Sequence, residues 1–185
     1  MISDFFSSLD ILTALLISAV GVGTGFILHE LAHKYVAIHY GAHAEFKMWQ
    51  TGLILALILP ILTFGQFLFA APGAVYIYGE NISRKQNGII SVAGPITNIV
   101  LGILFVLAAA IFQSSIAGII ALSAAQINFF LALFNLIPIG PLDGKKVFVW
   151  SKSVWAVLFV FSLASVFLFS LIASLILTPL GLLAG

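Results

Sequence analysis

Long apolar runs alternate with short polar linkers along this chain. The runs lie at about 11–38, 52–71, 88–112, 116–138 and 154–179. A helix crossing the hydrocarbon core of a bilayer needs about 20 apolar residues, and most of these runs reach that length. Between them lie "HYGAHAEFKMWQT", "APGAVYIYGENISRKQ", the very short "QSS" and "IGPLDGKKVFVWSKS". The pattern predicts an all-α polytopic membrane protein with no repeat and no appended soluble module. Residues 1–185 read as a single integral-membrane domain, with its chemical core at about 20–150.

Composition strengthens this reading. Of the 185 residues, 62% are hydrophobic and 7% charged, and the mean hydropathy is +1.24. A soluble domain has no use for so much apolar surface. The net charge of +1 gives no case for a nucleic-acid partner. The absence of cysteine excludes disulfides, iron–sulfur clusters and thiol catalysis. The first apolar run is preceded by Asp4 and Asp10 and by no basic residue, the wrong sign for a secretory leader, so it reads as a retained helix.

Charge also sets the expected sidedness. The basic residues are Lys34, Lys47, Arg84, Lys85, Lys145, Lys146 and Lys152. If all five runs crossed, Lys34 and Lys47 would face the side opposite Arg84 and Lys85, against the positive-inside preference. If 52–71 instead dips in and returns, every basic residue faces the cytosol. That run carries Pro60, Gly65 and Gln66 near its middle, in keeping with a broken, re-entrant segment. The expectation is four spanning helices plus a re-entrant hairpin, with both termini outside.

Against this oily background stands "HELAH", residues 29–33. Residues four apart on a helix share a face, so His29 and His33 can grip one metal ion, while Glu30 can reach a water on that ion. This is the HExxH arrangement of zinc hydrolases: two nitrogen ligands and a general base. The bland alternative is a chance helical pair. A charge near the bilayer centre costs roughly 2.5–3.5 kcal/mol on insertion scales, which disfavours chance. Gly21 and Gly25 continue the same stripe and allow another helix close, so the metal face is expected to point into the bundle.

A catalytic zinc usually keeps a third protein ligand and one open position. His39 and His43 are also four apart, but they flank Gly41 at a helix end and read as an interfacial pair. Asp143 in "NLIPIGPLDG" (135–144) is the better candidate. Pro138 and Pro141 end the preceding helix, Gly140 and Gly144 permit unusual backbone angles, and Asp143 is expected on a rigid, irregular segment. A turn aspartate is its bland reading. In the four-span arrangement HELAH and "PLDG" emerge on the same, cytosolic face. Asn98 in "GPITN" (94–98), Asn128 and Asn135 remain as intramembrane polar groups, which either tie helices together or hold the site or a substrate backbone.

These residues resemble the site-2 proteases, a family of intramembrane zinc metalloproteases. The resemblance rests on "HELAH", "GPITN" and "NLIPIGPLDG", in that order, and spans roughly 20–150. It implies one zinc ion held by His29, His33 and Asp143, with Glu30 activating the water. It implies cleavage of transmembrane-helix substrates near the cytosolic face, with Asn98 or Asn135 contacting substrate or oxyanion. It also implies short membrane-associated β-strands and a re-entrant loop near 44–80. The chain departs from the family in three ways. Relatives often have a helix before the HExxH helix, many carry a PDZ or CBS domain, and a Gly-Arg pair often stands where this chain has Lys145-Lys146.

The main alternative is a non-hydrolytic metal-binding membrane protein, a transporter or sensor, which accounts for the histidines but not for Glu30. A membrane di-iron oxidase needs more histidines than the four present. A purely structural helical partner leaves HELAH unexplained.

Overall fold

The computed structural model describes residues 16–17, 19–48, 73–78, 82–113 and 115–177. The segment expected to re-enter, 52–71, lies outside the described residues. A π-helical turn, Ala19–Gly23, runs into α1, Thr24–His39. Strands β1 (His43–Met48) and β2 (Gly73–Tyr78) follow. Next come α2 (Arg84–Phe112), α3 (Ile116–Asn135), α4 (Asp143–Trp150), α5 (Lys152–Phe167) and α6 (Phe169–Leu177).

Local chemistry fixes most boundaries. Gly41 adopts φ +74, and the chain closes α1 with Gly41 N–H on the Ile38 carbonyl (2.9 Å) and Ala42 N–H on the Ala37 carbonyl (3.0 Å). This is a glycine-terminated helix end. From it β1 leaves to pair antiparallel with β2, His43 opposite Tyr78 and Met48 opposite Gly73. Ser83 and Gln86 form a reciprocal capping box that starts α2 four residues before its apolar run. Ser115 caps α3, and Ser151 caps α5. Helix α3 stops at Asn135, three residues short of the expected end, because Pro138 and Pro141 cannot continue it. The last expected span is broken at Leu168 into α5 and α6.

Helix α2 is central, packing on α1, α3 and α4. The short turn after Phe112 makes α2 and α3 antiparallel neighbours. Both bury mainly small side chains: Gly94, Asn98, Gly102 and Ala109 on α2, and Ala121, Ala124, Ala125, Asn128 and Ala132 on α3. The outward face of α2 is the oily one, with Ile96, Val100, Ile103, Leu104, Leu107 and Ile111 all exposed. That is the reverse of a soluble bundle, where large aliphatics turn inward. Among the described residues two helices, α2 with 29 residues and α3 with 20, are long and apolar enough to cross a membrane.

Helix α4 occupies what the sequence suggested was a linker. It is locked at both ends by glycine. A Cβ on Gly144 would sit 2.7 Å from the Ile137 carbonyl oxygen and closer still to that of Leu136. A Cβ on Gly88 would meet the Trp150 ring at 2.6 Å. So Gly144 is needed for close approach and has helical geometry, whereas the expectation was an unusual backbone angle. Only Gly140, at φ +57, meets that second description.

Candidate metal centre

His29 and His33 are buried on α1, facing α2. Their rings meet edge to face with centroids 4.7 Å apart. Each ring is held from behind by its Nδ1. The His33 Nδ1–H donates to the Ile90 carbonyl at 2.7 Å. A carbonyl can only accept, so Nδ1 carries a proton, which in the neutral imidazole leaves the Nε2 lone pair facing forward. His29 Nδ1–H donates in the same manner to Asn98 Oδ1.

Asp143 meets both lone pairs. Its Oδ2 lies 3.0 Å from His33 Nε2 and 3.3 Å from His29 Nε2. The site is assembled by α1 and by the first residue of α4, not by an irregular loop as the sequence suggested. Lys146 lies 3.7 Å from the other oxygen, Oδ1, with its amine half in solvent, so this pair adds little.

With both imidazoles neutral, three acceptor atoms converge on one point, an arrangement that a cation between them satisfies. The spacing suits zinc. Ligands about 2.0–2.1 Å from a tetrahedral ion lie roughly 3.3 Å apart, close to the separations of Oδ2 from the two nitrogens. All three ligand atoms fall within 4.8 Å of one another. No other His, Asp or Glu group of this kind occurs among the described residues. The His39 ring is exposed and packs on Tyr40, while the His43 side chain lies outside what is described.

Sequence reasoning missed two supports. The Ile90 carbonyl carries no side-chain signal at all. Gly94 is the first residue of "GPITN", and a Cβ there would stand 2.5 Å from His33 Nε2 and nearer still to His29 Nε2. The space it leaves is where the two imidazoles project. Asn98 was expected either to tie helices together or hold the site, or to contact substrate or oxyanion. It is wholly buried, with Oδ1 on His29 and both amide protons committed, to the Gly25 carbonyl (3.1 Å) and Asn128 Oδ1 (2.9 Å), as the first of these readings has it. No donor is left for a substrate. Asn135 is half-buried and returns its amide to Leu131 of its own helix at 2.9 Å. Glu30 is half-buried beside His29.

A helical bundle presenting an HExxH pair and an aspartate to one ion defines the metalloprotease class. Comparison with known proteins agrees. A protein of Methanocaldococcus jannaschii named "Putative zinc metalloprotease" is 48% identical over 143 residues, covering 77% of this chain and 74% of its own length. A Bacillus subtilis protein of the same descriptive name, YwhC, is 30% identical, covering 66% of this chain and 63% of itself. A second M. jannaschii protein, named a zinc metalloprotease, is 32% identical over 122 residues, which is 30% of its length. No family model and no solved structure matches. The chain belongs to the site-2 protease-like family of zinc metalloproteases, and its cofactor is zinc.

The glycine behind Asp143 yields a prediction. Gly144→Ala should push α4 off the end of α3, because the atoms in its way are backbone and cannot rotate aside. Overpacking of this kind costs about 1–3 kcal/mol. The expected result is a lower thermal midpoint in detergent and loss of bound zinc, read by metal analysis of the purified protein.

Proposed function

We propose that the chain is an intramembrane endopeptidase, a zinc enzyme that cuts peptide bonds inside or at the edge of a bilayer. The observation that carries this reading is the depth of the ligand set in an inside-out bundle. Gly94, which abuts both imidazoles, lies six residues beyond Gly88, where the apolar stretch of α2 begins. At 1.5 Å per residue that is about 9 Å into the apolar layer. His29, His33 and Asp143 hold the zinc, and the basic residues at 84–85 and 145–152 support a cytosolic position for that end of the bundle. Four spans and outside termini complete the arrangement.

When bound, zinc makes water nucleophilic near neutral pH and polarises the scissile carbonyl. The chain supplies the rest. Glu30 takes a proton from the attacking water and passes it to the leaving amine. The Nδ1 bonds to Ile90 and Asn98 keep both imidazoles turned forward. The substrate is a transmembrane helix that must unwind locally, since a helix hides its carbonyls in internal hydrogen bonds.

The test is a panel of purified single-span substrates, with fragments mapped by mass spectrometry. Cleavage inside the span or within a turn of its cytosolic end is the expected result. Cleavage confined to water-soluble loops, at equal rate on the loop peptide alone, would overturn intramembrane action. Zinc retention without hydrolysis of any substrate would favour the metal-carrier alternative.

A further inference from the structure

The two zinc-facing histidines are held by different means. His33 leans on a backbone carbonyl that no side-chain substitution can remove. His29 leans on a side chain, Asn98, which is itself held by another, Asn128. The chain of bonds has a fixed direction. His29 Nδ1–H donates to Asn98 Oδ1. Asn98 Nδ2 donates to the Gly25 carbonyl and to Asn128 Oδ1. Asn128 Nδ2 donates to the Ala124 carbonyl at 2.9 Å and, more weakly, to the Gly21 carbonyl at 3.5 Å.

Both asparagines are fully buried, and each oxygen and each amide proton has one place to go. Turning over either amide would set oxygen against carbonyl oxygen, which in a buried site costs the desolvation of both. The orientation is therefore locked from α3 through α2 to α1. We infer that Asn98 and Asn128 form an amide relay that positions His29 as a zinc ligand, coupling metal affinity to the packing of α1, α2 and α3. The relay rests on the reading that His29 holds zinc. It does not depend on what the enzyme cleaves.

One consequence separates a relay from ordinary packing. Gly25 touches no ligand atom, but a Cβ there would lie 2.8 Å from Asn128 Oδ1, the atom that accepts from Asn98. Gly102 is equally crowded, one turn further along α2: a Cβ there would lie 2.6 Å from the Phe129 ring, which is not part of the relay. Gly25→Ala and Gly102→Ala are thus comparable steric insults, one on the line and one off it.

The experiment uses the full chain in detergent. Zinc affinity is measured by competition with a chromogenic chelator, and the ligand field by the visible absorption of the cobalt(II)-substituted protein. Loss of an outer-shell partner typically weakens metal binding about 10–100-fold. Asn98→Leu and Gly25→Ala are expected to fall in that range and to shift the cobalt spectrum. Gly102→Ala is expected to stay within about twofold, because the Phe129 ring it displaces makes no bond in the relay. Wild-type affinity and spectrum in folded Asn98→Leu and Gly25→Ala would overturn the relay. So would an equal loss in all three variants, which would mark a general packing effect. A protein that binds zinc as expected but cleaves nothing would count against the peptidase reading and leave the relay standing.

Discussion

Glu30→Gln is expected to lower cleavage of a single-span substrate by about 10²–10⁴-fold, the usual worth of a positioned acid–base group, while the protein keeps its zinc. Gln preserves the size and polarity of the side chain and removes only its basicity. Glu30 adjoins His29 on α1 but is no part of the converging set, in which the two Nε2 atoms face Asp143 Oδ2. Metal binding and catalysis therefore separate at this position, as they do not at His29, His33 or Asp143. Initial rates and zinc content of the same preparation measure both. Zinc retained with cleavage lost assigns the proton transfers to Glu30. Near-normal cleavage would move the base elsewhere. Loss of zinc would mean that Glu30 sits in the ligand set itself.

The sequence made the ligands legible because their chemistry is conspicuous. Two imidazoles beside a glutamate at the end of a long apolar run have few structural uses, and the HxxxH spacing needs only a helix to become a pair. The order of apolar segments likewise gave α2, α3 and the break before Asp143. Less visible was everything carried by backbone or by absence of a side chain. The Ile90 carbonyl that fixes the His33 tautomer is common to every residue type. Gly94 and Gly144 act through atoms they lack, so a sequence shows them as flexible or small without saying what must fit. Helix α4 escaped because eight residues with Asp143 in the first turn and two lysines beside it look like a charged linker. Its docking rests on two glycine contacts, Gly88 under Trp150 and Gly144 under the end of α3. Asn98 was flagged as polar and intramembrane, but its task depended on knowing that α1 brings His29 alongside.

Gly94→Ala is expected to abolish activity, with a loss of about 10²-fold or more, and to strip zinc from the protein. In an exposed helix the same change would stabilise by roughly 0.5–1 kcal/mol, because glycine pays the larger entropy on ordering. Here the added methyl would stand 2.5 Å from His33 Nε2 and closer to His29 Nε2, inside any allowed contact. Neither ring can retreat freely. Moving His33 breaks its bond to the Ile90 carbonyl, and moving His29 breaks its bond to Asn98. A displacement of about 1 Å at a reacting centre is enough to cost roughly 10²-fold in rate. The two tendencies act on different observables. Helix content by circular dichroism should hold or rise while zinc content and cleavage fall together. If Gly94→Ala keeps both zinc and activity, the imidazoles must have room to shift, and the tight grouping of Nε2, Nε2 and Oδ2 around one point would not be the geometry that binds the ion.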